Sequence, residues 1–358
     1  IDSISLFQFK NYRQADFRFE ERIVGIHGKN GIGKTNLLDA LYYLCFTKSY
    51  FTRNEGLNVL EGSAGFRLEA KIEHSAQPFM ITCILRENGK KEISVNGQSC
   101  QRFASHIGRF PAVMIAPDDV QIITGGGEER RRFLDTLISQ LDQHYLLSLI
   151  QYNKILQQRN SLLKSFAESR RVNNQLLEVM DEQLSGPGTL ISEKRQSFLQ
   201  KFLPLIGDSY KLISGENYEV GISYQSQLSG TSFLNLLHQF RDRDYVSQRT
   251  NGGIHKDDLE ITLKGQLFKS MASQGQRKSM LFALKLAEFE MLREQNGFAP
   301  LLFLDDVFEK LDEQRIDNLL NRVCVGNNGQ IFFSDTHEER LRIKLDSLNQ
   351  KYQLITLS

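Results

Sequence analysis

The chain has 358 residues, is 40% hydrophobic and 24% charged, and carries a formal net charge of +1. That is enough for two domains or one large split domain with a sizeable core, in the composition range of a soluble globular protein. No run approaches the ~18 apolar residues of a membrane span, Ile1-Asp2-Ser3-Ile4-Ser5 lacks the parts of a secretory signal, and so balanced a charge leaves any nucleic-acid surface to a local concentration of cations.

In chain order, Ser3–Phe9 and Ala15–Phe19 alternate as strands around a turn at Lys10–Arg13, and Ile23–Ile26 is a short apolar strand. The segment Gly28-Lys29-Asn30-Gly31-Ile32-Gly33-Lys34-Thr35 follows, and then Leu37, Leu38, Leu41, Tyr42 and Leu44 recur at helical spacing. Residues 66–116 are strand-rich, with the hairpin dipeptides Asn88-Gly89 and Asn96-Gly97 and a buried-strand candidate at Ala112–Ala116. From Glu128 to about Phe166 apolar residues recur every three or four positions. A second helical run covers Asn174–Leu203, with a break expected at Gly186-Pro187-Gly188. This region is expected to be a helical insertion, a short antiparallel hairpin too short for a long coiled-coil arm. Strands return at Tyr218–Tyr224 and Leu259–Leu263, a helix at Gln274–Gln295, the apolar strand Leu301–Leu304 ending in Asp305-Asp306, and the strand Gln330–Ser334. The organisation predicted is a first head part at 1–119, a helical lobe at 120–245 and a second head part at 246–358.

The four cysteines, Cys45, Cys83, Cys100 and Cys324, are far apart and outside any CxxC pair, and the seven histidines are scattered. Both facts imply reduced, mostly buried thiols in a cytosolic protein and no structural metal. The start at Ile1 rather than methionine implies a processed or trimmed terminus.

The glycine-rich segment fits GxxxxGK[ST] between a strand and a helix. Its glycines let the backbone approach phosphate oxygens, whose charge the loop N–H groups and the helix N-terminus neutralise. Residues Gly28–Asn36 are therefore the candidate nucleotide site, with Lys34 on the β/γ-phosphates and the Thr35 hydroxyl on Mg²⁺. Carboxylates at the end of a doubly buried parallel strand lie where ligands bind in open α/β sheets. Asp305 is expected to hold Mg²⁺ through water and Asp306 to orient or deprotonate the attacking water. Lys34 and Asp305 are 271 positions apart and no guanine-reading Asn-Lys-x-Asp occurs, so the core is split by a large insertion and ATP is preferred over GTP. Ser273-Gln274-Gly275-Gln276 starts a helix between the two motifs, in the order of the signature loop of ABC-type ATPases, which caps the γ-phosphate held by a second subunit. Leu311-Asp312 resembles the D-loop of that class.

These features, together with Phe9-Lys10-Asn11-Tyr12-Arg13, Ala116-Pro117-Asp118-Asp119-Val120 running to Asp135, and Gly253-Ile254-His255-Lys256-Asp257-Asp258, make nearly the whole chain resemble the RecF family of bacterial recombination-repair ATPases, relatives of the SMC proteins. The resemblance implies an α/β fold, an ABC-type P-loop ATPase head with a split mixed sheet and flanking helices plus a helical second lobe. It implies ATP and Mg²⁺ as cofactors, an ATP-dependent homodimer on duplex or gapped DNA, slow hydrolysis that releases it, and partnership with RecO and RecR in loading RecA, in the cytoplasm. The chain departs from the family-like Gly-Pro-His-Arg-Asp-Asp at Ile254 and Lys256. Asp335 stands where ABC ATPases carry the switch histidine, with His337 two residues on. The glutamine loop has no assigned residue, Asp118 and Gln121 being its candidates. Arg130-Arg131-Arg132 is a DNA-contact candidate, although adjacent arginines point around a helix rather than along one face. Two rivals share the motifs: an ABC subunit coupled to a membrane or other partner, and an ATP-fuelled nuclease, for whose metal domain no residues remain.

Overall fold

The structure is a computed structural model that describes residues 1–74, 76–215, 219–309 and 313–358. It divides into two compact units, one of Ile1–Asp119, Ser209–Glu216 and Lys278–Ser358, the other of Val120–Asp208 and Asn217–Arg277.

The first unit holds two sheets. Strands β1 (Ser3–Phe9), β2 (Tyr12–Arg18), β4 (Phe66–His74), β5 (Gln77–Leu85), β6 (Lys91–Val95) and β7 (Gln98–Ser99) form an antiparallel sheet in the order β2-β1-β4-β5-β6-β7. In β4 the inward residues Phe66, Leu68, Ala70 and Ile72 are buried and Arg67 and Lys71 are exposed, the period-two signature of a sheet with one face on the core. Strands β3 (Ile23–His27), β8 (Ala112–Ile115), β12 (Leu301–Leu304), β13 (Ile331–Asp335) and β14 (Tyr352–Thr356) form a parallel sheet in the order β14-β3-β13-β12-β8. Every residue of β3, β8 and β13 is buried, which explains their unbroken apolar runs. Helix α1 (Lys34–Phe46) is buried from Leu37 to Phe46 and shares one core cluster with both sheets, including Phe9, Leu68, Met114, Phe303 and Phe332. A helix apolar on all sides belongs inside a core rather than on its surface. Helices α9 (Glu313–Leu320) and α10 (Glu338–Asp346) complete the unit, and Leu311-Asp312 lies outside the described residues.

The second unit contains α2 (Gln121–Thr124), α3 (Gly127–Leu141), α4 (Gln143–Ser169), α5 (Asn174–Ser214) as far as Asp208, α6 (Phe233–Ser247) and α7 (Phe268–Met271). It also contains an antiparallel sheet β11-β10-β9 built from β9 (Val220–Gln225), β10 (Asp258–Leu263) and β11 (Gln266–Leu267). Helices α4 and α5 run antiparallel as expected: Tyr145 meets Arg195, Arg159 meets Asp181, and Leu163 and Phe166 pack with Leu177. Two expectations change. The lobe predicted to end at 245 continues to Arg277 and is not purely helical, because β10 is hydrogen-bonded to β9 from Asp258↔Gln225 to Leu263↔Val220. The predicted break at 186–188 does not occur, and α5 runs unbroken through Pro187 and Pro204. A Cβ on Gly188 would lie 2.3 Å from the Phe233 ring, so the absent side chain admits that ring against the helix. Packing there overrides a local signal that costs a free helix ~3 kcal/mol at proline.

Two arginines are buried in this unit. Arg159 is fully buried and reaches Asp181 at 2.6 Å, Asp244 at 2.7 Å and Thr250 at 2.9 Å. Arg195 reaches Asp135 at 2.7 Å, Asp257 at 3.1 Å and the Ile254 carbonyl at 2.9 Å. Buried charges persist only when paired in this way.

Helix α8 (Gln274–Asn296) is buried almost throughout from Ser279 to Leu292.

Candidate nucleotide site

Strand β3 delivers the glycine loop at its C-terminal end. Gly28, Gly31 and Gly33 have φ of 153°, 79° and 118°, left-handed backbone that only glycine adopts without strain. Lys34 is buried, and its ammonium donates to the carbonyls of Gly28 at 2.8 Å and Lys29 at 3.1 Å, so it is folded inside the loop it serves. Lys29 and Asn30 are exposed at the rim.

The β1–β2 turn braces the loop from outside. Asn11 Nδ2 donates to the Ile32 carbonyl at 2.9 Å, and Asn11 Oδ1 accepts from Asn36 Nδ2 at 2.7 Å. The Tyr12 hydroxyl donates to the Gly33 carbonyl at 3.0 Å. A Cβ on Gly33 would lie 2.7 Å from Asn11 and 2.9 Å from the Tyr12 hydroxyl, so this close fit also requires glycine. Lys10 holds the turn to α1 through Asp39 at 2.5 Å. Carbonyl and N–H of a trans peptide point opposite ways, so fixing the Ile32 and Gly33 carbonyls toward the turn directs the Gly33 and Lys34 N–H groups away from it.

The parallel sheet brings the distant carboxylates to the loop. β13 lies between β3 and β12, so one seryl residue, Ser334, stands between the two motifs. The Thr35 hydroxyl lies 3.0 and 2.9 Å from the two oxygens of Asp305, and Ser334 donates to Asp305 Oδ1 at 2.6 Å. Asp305 is only 3% exposed. Burial raises its pKa, against the opposing hydrogen bonds of Ser334 and Thr35. A desolvated carboxylate beside a threonine hydroxyl is a hard oxygen pair suited to Mg²⁺ and gains from that ion's charge. Asp306 has φ of 47°, and its N–H donates to Ser334 Oγ at 3.0 Å.

The other candidates are distributed as follows. Ser273 and Gln276 form a reciprocal capping box at the start of α8: Gln276 N–H donates to Ser273 Oγ at 3.2 Å, and Ser273 N–H to Gln276 Oε1 at 2.9 Å. Ser273 and Gln274 are exposed and Gly275 half-buried. Asp335 is fully buried, accepts two bonds from Arg340 at 2.8 and 2.7 Å and one from the His337 N–H at 2.7 Å. Its carboxylate thus anchors the start of α10, whereas the His337 side chain is 69% exposed. Asp118 and Gln121 are both exposed. Their neighbour Asp119 is buried, accepting from the Tyr50 hydroxyl and from the Ala116 N–H at 2.8 Å.

The three arginines do not act as a group. Arg130 is bidentate on Asp258 at 2.7 and 2.9 Å and also donates to the Ile122 and Gly125 carbonyls. Arg131 donates to the Asp257 carbonyl at 2.5 Å, and exposed Arg132 pairs with Glu129. Arg130 is thus paired internally, with 11% of its side chain exposed.

Asn11, Tyr12 and Ser334 escaped assignment from the sequence. The signal for Ser334 was a hydroxyl ending an apolar parallel strand. Asn11 and Tyr12 sit at a polar hairpin turn, which carries no mark of what it faces.

Comparison with known proteins agrees along the whole chain. The model of the RecF/RecN/SMC N terminal domain family matches residues 1–353. The DNA replication and repair protein RecF of Flavobacterium johnsoniae is 42% identical over 357 residues, 100% of this chain and 99% of that protein. Its counterpart in Bacteroides thetaiotaomicron is 39% identical over 98% of this chain and 95% of its own. A solved structure of the recombination mediator protein RecF-ATP in the RecFOR pathway superposes with a TM-score of 0.86 at 30% identity, covering 94% of this chain and 92% of that one. An Smc head domain derived from Pyrococcus furiosus, at 13% identity and a TM-score of 0.56 over 100% of this chain and 93% of its own, shares the fold.

Proposed function

The chain belongs to the RecF family, and from that premise we propose that it is an ATP-dependent DNA-binding protein of recombinational repair and replication restart. It is a weak ATPase that works mainly as a cytoplasmic binding switch. The observation that supports this reading is the contact of Thr35 with Asp305 across 270 positions of sequence, which brings the two candidate motifs together from both ends of the chain.

Each residue has a role in this reading. Lys34 leaves the Gly28 and Lys29 carbonyls for the β/γ-phosphates of ATP. The N–H groups of Gly31–Thr35 and the start of α1 surround the phosphates, and the Asn11–Tyr12 brace keeps the Gly33 and Lys34 N–H groups turned to them. Thr35 directly, and Asp305 through water, would hold Mg²⁺, which would supply charge against the phosphates. Asp306 orients the attacking water, with Ser334 fixing its backbone. An aspartate is one methylene shorter than the glutamate many ABC ATPases place here, which suits slow turnover. His337 remains the switch candidate. Ser273 of a second copy caps the γ-phosphate, and Leu311-Asp312 lies at the same seam, so ATP favours the dimer by mass action. Partnership with RecO and RecR, and through them with RecA, belongs to the same reading. Among the described residues no helix is long and apolar enough to cross a membrane, and the full-length RecF match does not favour a transport-coupled subunit.

Fluorescence anisotropy with gapped and duplex DNA tests the proposal. ATP with Mg²⁺ should tighten binding at least about tenfold over ADP, a coupling within the usual allosteric range. Equal affinities with ATP and ADP overturn it.

A further inference from the structure

The second unit carries a group of cations that, among the described residues, form no ion pair with a carboxylate. Four other buried or partly buried arginines are paired with carboxylates, Arg130 with Asp258, Arg159 with Asp181 and Asp244, Arg195 with Asp135 and Asp257, and Arg241 with Glu178 and Asp181, while Arg277 donates to the Lys269 carbonyl. Arg243, Arg249 and Lys256 are exposed, and among the described residues none of them forms an ion pair. Arg131 is half-buried and is bonded to the Asp257 carbonyl rather than to a carboxylate.

The backbone brings these four together. Arg243 is in the last turns of α6, which ends at Ser247. The Arg249 N–H returns to the Asp244 carbonyl at 3.3 Å, and Asn251 Nδ2 donates to the Arg249 carbonyl at 2.9 Å. His255 Nε2 then meets the Thr250 carbonyl at 3.0 Å, closing the loop so that Arg249 and Lys256 flank its neck. Arg131 enters from α3 beside Asp257. Asp244, the carboxylate that opposes this crowding, is buried and hydrogen-bonded to Arg159 and Asn251, and its effect on Lys256 is smaller than that of the three arginines. The ammonium of Lys256 is destabilised first by burial and then by Arg249, Arg131 and Arg243, as expected of crowded like charges. Crowding cations without counter-ions costs stability, so a ligand that supplies the anions is the natural complement. Forked guanidiniums and an ammonium on a rigid loop match phosphate oxygens. Tyr245, the aromatic side chain of this stretch, is turned inward on Phe166 and Asn174, which leaves no ring to anchor a protein partner.

We propose that Arg131, Arg243, Arg249 and Lys256 form a surface that binds the phosphate backbone of nucleic acid. The proposal rests on the DNA-binding reading above and gives it a location that the Arg130-Arg131-Arg132 run alone does not.

The test is the triple variant Arg243→Gln/Arg249→Gln/Lys256→Gln, measured against duplex DNA with ATP across a salt series. A second triple variant of equal charge loss, Lys164→Gln/Arg170→Gln/Arg171→Gln on exposed positions of the helical hairpin, is the control. At about 0.1 M salt the first should weaken binding at least about tenfold and reduce the slope of log K against log salt by about 2 to 3, near 0.9 per phosphate contact. The control should bind within about threefold of the parent, and all three should bind ATP equally. The Arg243→Lys/Arg249→Lys variant should keep the slope, and Lys256→Gln alone should lower it by about 0.9 if the triple variant does not fold. A patch variant that binds DNA as the parent does, or a control that loses as much, overturns the assignment while leaving DNA binding intact. A parent that binds no DNA overturns the DNA reading and this proposal with it.

Discussion

Asn11 and Ile32 are joined by a hydrogen bond of 2.9 Å from the Asn11 side chain to the Ile32 carbonyl, and the same asparagine accepts from Asn36 on the far side of the loop. A hairpin turn thereby fixes which way the phosphate-facing peptides point. Asn11→Ala should weaken ATP binding about tenfold, the worth of one to two hydrogen bonds. Tyr12→Phe, which removes only the hydroxyl, should weaken it less. Isothermal calorimetry checks both. The melting temperature without nucleotide should shift by no more than a few degrees, since the brace is half-exposed. A large loss of stability with unchanged affinity would make the brace structural only.

The pKa of Asp305 is raised by its burial, so its ionised form costs folding free energy at neutral pH. Asp305→Asn removes that cost and should leave the nucleotide-free chain as stable as the parent or more so. The same change should abolish the extra stabilisation that Mg²⁺ gives to the ATP complex. Thermal melts without nucleotide, with ATP, and with ATP and Mg²⁺ read both effects.

Glu288 is buried on α8 beside Lys285 at 3.3 Å, and burial raises its pKa to about 7. Between its ordinary value and about 7 the folded chain binds a proton that the unfolded chain has released. This group's contribution is therefore most favourable in acid and declines as pH rises toward 7. Glu288→Gln should remove that decline. Its stability relative to the parent should grow from pH 5 to pH 8 by about 1–3 kcal/mol, the worth of the part of that titration that lies above pH 5. Denaturant titrations at the two pH values decide it; a constant difference contradicts the assignment.

The continuity of α5 gives a paired test. Gly188→Ala must displace the Phe233 ring and should cost about 1–3 kcal/mol. Gly186→Ala meets no atom within 4 Å and should be neutral or gain up to about 1 kcal/mol from helix propensity. If the helix broke at 186–188 in solution, neither sign would hold.

What could be read in advance follows from how local each signal is. The unbroken apolar runs of β3, β12 and β13, and the glycines that the loop conformation demands, are local, and they put Lys34 and Thr35 after β3 and Asp305 after β12, two parallel strands of one sheet separated by β13. Gly186-Pro187-Gly188 gave the opposite answer because its meaning depends on Phe233, more than forty positions away. The return to the first unit at Lys278 rather than 246 depends on β10 pairing with β9, a register that alternation alone does not specify. The brace was invisible for the same reason: Asn11 and Tyr12 acquire their role only when the loop folds against them. Arg130 looked like a surface cation until Asp258, 128 positions later, was placed beside it.

The most direct measurement of the central claim is sedimentation velocity of the full chain with ATP and Mg²⁺, with ADP, and for Lys34→Arg with ATP. A nucleotide site completed by Ser273 of a second copy predicts a doubling of mass with ATP alone, absent with ADP and absent in Lys34→Arg. A chain that stays monomeric with saturating ATP, or a Lys34→Arg variant that dimerises as the parent does, contradicts it.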